Sequence, residues 1–205
     1  NDAMYKGPDG YMNNQLGILL RWREEAVALV GDIKKMFNSV HLELMEQHTH
    51  RFLWSNLDYS STPKTFVMTR VNMGDRPAGA IATEAMYKTA EKFQSDNPRA
   101  SRMLKEGSYV DDIMDSIATM QEALEFTGDA EKMLLKGGFL IKFWLYSGDT
   151  VQDDDGVVQV LGVCWKPEAD NLCYQTSLNF SPKKNGIHVL PDLRADEVPA
   201  SIPNV

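Results

Sequence analysis

Three aspartates lie at places where an unpaired carboxylate is costly. Asp32 follows the apolar run 26–30, and Asp111 and Asp112 form a short turn between two apolar segments. Clustered carboxylates repel one another unless a cation lies between them, and their oxygens suit Mg²⁺. If the strands are neighbours, about 4.8 Å apart, Asp32 and Asp111 meet at one sheet edge. Two Mg²⁺ ions about 4 Å apart would there activate an attacking hydroxyl and stabilise a leaving phosphate.

Other polar clusters are less informative. An Asp-Asp pair alone is typical of a solvated turn, and the richer run Asp153-Asp154-Asp155-Gly156 is interpreted as an exposed hairpin tip. The spacing of His48 and His50 suits no common zinc site, so a helix surface is the simpler interpretation. No serine or cysteine lies in a nucleophile elbow, and no glycine-rich Walker loop is present.

The bulk properties describe one globular domain. The chain has 205 residues, 43% apolar and 24% charged, and a net charge of −8. It contains no apolar run of about 18 residues, which a membrane span requires, and its start shows neither a signal peptide nor a methionine, so we expect a piece of a longer polyprotein. Its two cysteines indicate reduced thiols in an intracellular setting. The acidic balance counts against nucleic-acid binding, unless basic parts lie outside these residues.

The pattern of apolar residues predicts an α+β fold, an antiparallel sheet with helices packed on one face. Asn13 or Asn14 should cap the first helix, Pro77 should open an alanine-rich one, and Thr119 should begin a capping box with Glu122. The predicted helices cover 13–25, 41–54 (followed by a turn), 77–94, 99–106 and 119–136. The predicted strands cover 26–30, 64–71, 108–110, 113–117 and 172–178, with a hairpin formed by 139–146 and 157–165.

These motifs resemble those of reverse transcriptases, most closely the BEL/Pao group of long-terminal-repeat retrotransposons. Tyr109-Val110-Asp111-Asp112 resembles the polymerase motif C box (YVDD), and Asp32-Ile33-Lys34-Lys35-Met36-Phe37 resembles motif A. The other matching segments are Asn1-Asp2 with 6–8, 19–24, 51–54, 137–144 (motif D), and Leu161-Gly162 with Trp165 (motif E). The resemblance implies an RNA-directed DNA polymerase, a nucleotidyltransferase, with residues 1–180 as palm and partial fingers and 181–205 as an irregular tail leading toward a thumb.

The resemblance also implies roles for single residues. Asp32 and Asp111 would bind two Mg²⁺ ions, or Mn²⁺ in their place, with Asp112 assisting and the Ile33 carbonyl completing one site. Lys142 would protonate the leaving pyrophosphate. The remaining implied contacts are Lys35, Met36, Phe37 and Gly74 to the deoxynucleoside triphosphate (dNTP), and Leu161, Gly162 and Trp165 to the primer. Phe37, Lys142 and Trp165 have plainer interpretations as a core aromatic, a surface lysine and a core tryptophan.

The implied partners are an RNA or DNA template with its primer, dNTPs, and the fingers, thumb and RNase H of the polyprotein, with no membrane. The implied location is intracellular, in the cytoplasm or a retroelement particle. One departure stands out: Gly74 precedes Pro77 by three residues rather than five, and Arg76 replaces the serine usual in motif B. Two alternatives stay open. One is an inactive retroelement palm that serves as an interaction module, and the other is a metal-dependent phosphohydrolase, which would need a general base.

Overall fold

A four-stranded antiparallel sheet, of order β4-β5-β1-β6, organises the part of the chain that the computed structural model describes, residues 2–8, 11–152 and 156–173. The helices in these ranges are α1 (Gln15–Arg21), α2 (Met36–Ser39), α3 (Leu44–Gln47), α4 (Ala78–Lys92), α5 (Pro98–Glu106) and α6 (Met120–Lys136). The strands are β1 (Val27–Ile33), β2 (Arg51–Trp54), β3 (Lys64–Val67), β4 (Ser108–Tyr109), β5 (Asp112–Ile117), β6 (Ile141–Tyr146), β7 (Val158–Val160), β8 (Val163–Lys166) and β9 (Asn171–Cys173).

Strand β1 forms the centre of the sheet, with β5 on one side and β6 on the other. Its Leu29 and Ile33 are almost fully buried in the main core, whereas Ala28 and Val30 belong to a second cluster. This alternation follows from the pleat, which sends successive side chains to opposite faces. The strand continues three residues beyond the predicted 26–30, so Asp32 lies within the paired strand.

Helices α4, α5 and α6 fill one side of the fold around the main core. Helices α5 and α6 pack on the sheet, and α4 packs on both of them. The capping box is confirmed at the start of α6, where the Thr119 hydroxyl accepts a hydrogen bond from the Glu122 amide at 3.3 Å. The α+β fold is therefore as predicted, with these three helices on one face.

Helix α1 lies on the opposite face, which the prediction of helices on one face did not include. The rings of Trp22 and Trp165 meet edge to face there at 5.0 Å and are both fully buried. The small sheet β7-β8-β9 packs against this pair. An ion pair also holds the small sheet in place, because a guanidinium nitrogen of Arg23 lies 2.6 Å from a carboxylate oxygen of Asp170. Asp32 and Asp112 lie on the same face of the sheet as this second apolar cluster, which holds that face in place.

Two predicted elements are wrong. Residues 41–54 form only the short helix α3 and then β2, whose four residues pair with β3 in an antiparallel register, so the long helix is replaced by a two-stranded sheet. Residues 139–146 do not form a hairpin with 157–165. Strand β6 pairs with β1, and residues 157–165 turn back on themselves at Leu161-Gly162. Both residues of that turn have positive φ, 47° and 83°, which is typical of a two-residue type I′ hairpin.

Some predictions fall outside the described residues: the acidic run at 153–155, the later part of the strand at 172–178, and the tail at 181–205. Cys164 and Cys173 are both free thiols, as expected. Among the helices of the described ranges, none has both the length and the apolar character needed to cross a lipid bilayer.

Candidate active site

The three aspartates converge at one end of the paired strands β1 and β5. In the antiparallel register of β1 and β5, Asp32 lies directly opposite Asp112, and residues paired in this way project to the same face. The Ile33 amide donates a hydrogen bond to the Asp111 carbonyl at 2.9 Å, which joins the end of β1 to the turn before β5. The pairing of two distant segments therefore brings Asp32 to Asp111 and Asp112.

The backbone of this turn is held in an uncommon conformation. Val110 has φ 55°, in the left-handed region that β-branched residues rarely adopt. The pairing of Tyr109 with Asp112 closes the turn, and Tyr109 packs against the Trp22 cluster. Packing and pairing around the turn thus compensate for the strain at Val110, as is common where a chain presents functional groups.

Burial and the neighbouring carboxylates both disfavour the ionised form of Asp112. Burial raises the pKa of its carboxyl group from 3.8 to about 6, and the neighbouring charges of Asp111 and Asp32 add to the effect. The nearest cation to Asp32 is Lys142, whose Nζ lies 3.8 Å from Asp32 Oδ2. Lys142 is more than half exposed, so it only partly offsets the negative charge. The cluster is therefore short of positive charge.

An open cleft of about 440 Å³ adjoins the aspartates. It is lined by Asp32, Ile33, Lys34, Lys35, Met36, Phe37, Asn38, Met73, Asp111 and Lys142. The structure thus brings most of the predicted metal and dNTP residues to one place. Asp112 and Gly74 are not among the lining residues. Lys34, Asn38 and Met73 line the cleft although sequence reasoning missed them, and their only signal was adjacency to motif A and to Gly74.

Helix α2 supplies one wall of the cleft. The chain leaves β1 through Lys35, which has φ 51°, and α2 then begins at Met36, whose side chain is buried in the main core. Phe37 is partly buried between this core and the small cluster of Leu42, Val71 and Ala78, and it also lines the cleft. Phe37 is thus both a core aromatic and a surface of the cleft, and Ile33, with its side chain fully buried, offers only its backbone.

The loop before α4 reaches the cleft through Met73 alone. Gly74 has φ 93°, and a Cβ there would meet no atom within 4 Å, so the glycine is required by the backbone conformation rather than by space. The neighbouring Asp75 carboxylate lies 2.7 Å from Nε2 of His50, which ties the loop to the start of β2. Gly74 itself does not line the cleft, and its contact to the dNTP stays a prediction.

The predicted primer residues surround the turn between β7 and β8. The Gln15 side chain donates a hydrogen bond to the Leu161 carbonyl and so connects α1 to this turn, and Gly162 is exposed. Trp165 is fully buried, and its Nε1 donates to Asp170 Oδ1 at 2.9 Å. The primer contact predicted for Trp165 is corrected accordingly: it has no exposed surface and instead anchors the small sheet.

The donor chemistry of the cleft fits a hard divalent cation. Within residues 2–8, 11–152 and 156–173, no three His, Cys, Asp or Glu side chains are arranged to hold a metal ion. Mg²⁺, however, is commonly bound through one or two carboxylates, with water and substrate phosphates completing its shell. Asp32 and Asp111 both line the cleft, and Asp112, whose pKa is raised mainly by burial and further by these two charges, lies directly opposite Asp32.

Comparisons with known proteins agree with this geometry at the level of the fold. No protein-family model matches the chain, and no curated protein matches it. Among solved structures, it is similar to the foamy virus protease-reverse transcriptase, determined in complex with an RNA/DNA hybrid, with a TM-score of 0.52 and 23% identity over 76% of this chain. The chain spans only 18% of the length of that protein. The described residues therefore have a reverse-transcriptase-like fold.

Proposed function

We propose that the chain is the catalytic palm of a reverse transcriptase, of the type encoded by BEL/Pao retrotransposons, and that it transfers a deoxynucleotide from a dNTP to a primer 3′-hydroxyl. The observation that carries the proposal is the register of β1 and β5, which sets Asp32 opposite Asp112 at the edge of a cleft shared by Asp111, Phe37 and Lys142. The resemblance in motifs A and C and the fold similarity support it.

In the proposed reaction the primer 3′-hydroxyl loses its proton to solvent and its oxygen forms a bond to the α-phosphorus. The bond between the α-phosphorus and the oxygen that bridges to the β-phosphate breaks, and pyrophosphate leaves. Asp32 and Asp111 would hold the cations, assisted by Asp112 and the Ile33 carbonyl. Mg²⁺, or Mn²⁺, would supply charge neutralisation and a more acidic 3′-hydroxyl when bound. Lys142, beside Asp32, donates a proton to the departing pyrophosphate.

Phe37 gives the site its proposed selectivity for deoxynucleotides. Its ring is held by two apolar clusters, so it cannot swing away from the cleft without losing those contacts. A rigid aromatic under the sugar would clash with a 2′-hydroxyl. The main-chain amides of Lys35 and Met36 are proposed to meet the triphosphate, and Gly74, Leu161 and Gly162 to approach the dNTP and the primer.

The proposed partners are a primed RNA or DNA template and the other parts of a polyprotein, inside the cell or a retroelement particle. The acidic net charge of −8 is less of an objection if other segments provide the basic grip on the duplex. Residues 51–70 carry a net positive charge, unlike the chain as a whole, because Arg51, Lys64 and Arg70 outnumber the single acid Asp58.

Metal binding is the first test. Saturation at ten times the dissociation constant stabilises a protein by about 1.4 kcal/mol, which raises the melting temperature of a chain of this size by roughly 3–5 °C. We expect Mg²⁺ or Mn²⁺ to produce such a rise, and Asp32→Asn to abolish it. The exposed Glu168→Gln removes the same charge elsewhere and should leave it unchanged.

Primer extension is the decisive test. When these residues are joined to fingers and thumb segments, which we expect extension to require, a primed template, dNTPs and Mg²⁺ should give elongated primer, and Asp111→Asn should abolish the product. Primer elongation by the Asp111→Asn variant would refute the proposal. Phosphoester hydrolysis without any template would instead favour the phosphohydrolase alternative, although no histidine is among the described residues that line the cleft.

An inactive palm that serves as an interaction module is the second candidate. The loop at 72–77 favours it, because only Met73 reaches the cleft and Asp75 is engaged by His50. Such a module would show no metal-dependent rise in melting temperature that responds to Asp32→Asn. The retained Asp32, Asp111 and Phe37 favour catalysis.

A further inference from the structure

The only two cysteines of the chain lie directly opposite each other in the small sheet. In the antiparallel register of β8 and β9, Cys164 pairs with Cys173. Residues paired in this way project to the same face of the sheet, with their Cβ atoms about 4.5–5.5 Å apart. The two thiols, both of them free, are therefore immediate neighbours at the two ends of one hairpin.

The spacing of the two strands suits a disulfide bond. Directly paired residues of an antiparallel sheet have Cα atoms about 4.5 or 5.5 Å apart, and cysteines joined by a disulfide usually have Cα atoms about 4.4–6.8 Å apart. The Cβ atoms of a disulfide are closer, about 3.5–4.5 Å, so the strands must approach each other slightly. Because a bond made under such strain is reduced more easily, the pair suits a reversible bond rather than a permanent one.

The two thiols differ in their accessibility. Cys164 is only 4% exposed, and its Sγ accepts a hydrogen bond from Gln159 Nε2 at 3.4 Å. Gln159 lies opposite Cys164 in β7, so these two residues and Cys173 form one row across the three strands. Cys173 is partly exposed and lies in the edge strand β9. A dissolved oxidant therefore meets Cys173 first, with Cys164 held beside it.

We propose that Cys164 and Cys173 form a reversible disulfide when the chain meets a low-molecular-weight disulfide, for which oxidised glutathione is the probe. The Cys173 thiolate attacks one sulfur of the oxidant, which releases one glutathione and leaves a mixed disulfide on Cys173. The Cys164 thiolate then attacks the Cys173 sulfur and releases the second glutathione. The two glutathiones take up the two protons that the cysteines lose, so two cysteine thiols are oxidised while one glutathione disulfide is reduced. Disulfides of this reversible kind are compatible with a reducing compartment.

The bond closes a ring that contains the anchors of the small sheet. Trp165 and Asp170 both lie between the two cysteines, where Trp165 meets Trp22 and Asp170 binds Arg23. Strand β9 has only three residues and lies at the edge of its sheet, so few interactions hold it. Oxidation therefore ties β9 to the buried strand β8 and disfavours the open hairpin.

Mass spectrometry of the whole chain tests the disulfide directly. After incubation with oxidised glutathione, the folded chain should lose the mass of two hydrogen atoms and carry no glutathione. Once remaining thiols are blocked and the chain is unfolded, cleavage after Glu168, which lies between the cysteines, should leave two peptides that separate only on reduction. Cys164→Ser should instead keep glutathione on Cys173, with an adduct at least about tenfold more abundant than in the wild type, because the adjacent thiol that displaces it is missing.

Thermal denaturation is the second measurement, and its main comparison needs no variant. The oxidised wild type should melt roughly 3–6 °C above the reduced chain, and dithiothreitol should reverse the rise. Cys173→Ser, treated identically, is the control and should show no rise.

Several outcomes would overturn the proposal. They are a stable glutathione adduct on the wild type, a disulfide that joins two copies of the chain, and an internal bond that forms only in urea. An oxidised chain that melts no higher than the reduced one would refute the tie between β9 and β8. None of these measurements depends on polymerase activity.

Discussion

Replacing Asp112 by asparagine should stabilise the chain, although Asp112 is proposed to take part in catalysis. Asparagine keeps the shape of the side chain but removes the charge that burial and the neighbouring Asp111 and Asp32 disfavour. Sites built for chemistry often carry such unfavourable interactions, and removing them exchanges activity for stability. The free energy of unfolding of Asp112→Asn should therefore exceed that of the wild type at neutral pH, in the absence of metal.

The magnitude follows from the shift in pKa from 3.8 to about 6. Because the pKa of Asp112 is raised in the folded state, the folded chain binds more protons than the unfolded chain between these values, and stability falls as the pH rises through them. The full shift corresponds to about 3 kcal/mol at pH 8. Solvent screens the half-buried carboxylate, so we expect a gain of about 1–2 kcal/mol, and most of it should vanish as the pH falls below 4.

Urea denaturation at a series of pH values from about 3 to 8, which spans both pKa values of Asp112, measures this effect. Glu168→Gln, at an exposed acid in the turn between β8 and β9, is the matched control and should change stability by less than about 0.5 kcal/mol. Saturating Mg²⁺ should shrink the advantage of Asp112→Asn, because the cation relieves the same repulsion in the wild type. An equal or lower free energy of unfolding for Asp112→Asn at pH 8, or a gain that does not depend on pH, would refute the reasoning.

Three further changes test the fold and the site. Gly31→Ala should cost about 1–3 kcal/mol in urea denaturation, because its Cβ would lie 2.4 Å from the Trp144 ring. Asp170→Asn should cost about 1 kcal/mol by the same measurement, since the charge-assisted bond from Arg23 is weakened. The difference in stability between Asp170→Asn and the wild type should disappear in acid. Burial alone would raise the pKa of Asp170, but its hydrogen bonds outweigh burial and the pKa is lowered overall. The stabilisation is therefore lost as the pH falls and the carboxylate is protonated. Phe37→Ala should reduce discrimination against ribonucleotides on the order of 10- to 100-fold in single-nucleotide incorporation.

The changes at Gly31 and Phe37 have control variants within the chain, and the change at Asp170 keeps the backbone unstrained. Gly17→Ala lies in α1, where the nearest atom to an added Cβ is 3.6 Å away, and should stabilise by about 0.5–1 kcal/mol through helix propensity. Asparagine tolerates the φ of 50° at Asp170, so a loss there reports the charge rather than the backbone. Phe37→Tyr should keep the discrimination, and a Phe37→Ala enzyme that still excludes ribonucleotides would contradict the proposed role.

The sequence alone predicted the local elements of the site well. The turn residues Asp111 and Asp112, the apolar run before Asp32, and the capping box at Thr119 each depend on interactions between near neighbours in the chain. The composition and spacing of such segments therefore carry their structure directly. Cleft residues that depend on tertiary folding were missed, as with Met73, which lies about 40 residues from Asp32.

Local sequence patterns do not predict which distant strands pair with each other. Residues 139–146 precede an acidic loop, so a hairpin with the next strand was the simplest interpretation. Their true partner is β1, more than 100 residues earlier. The feature that favours this pairing is Gly31, which lies opposite Trp144 and leaves room for its ring. A lone glycine in a strand suggests a close approach but does not name the partner.

The same glycine links the fold to the chemistry. Gly31 lets β6 lie close along β1, and the Trp144 ring is held there by a 2.8 Å hydrogen bond from its Nε1 to Glu131. That placement brings Lys142, in β6, to Asp32, the residue after Gly31. A side chain at position 31 would displace β6 and separate the lysine from the aspartate. The loss of stability in Gly31→Ala should therefore be accompanied by a loss of any function that requires Lys142, a coupling that a purely structural glycine elsewhere in the chain would not show.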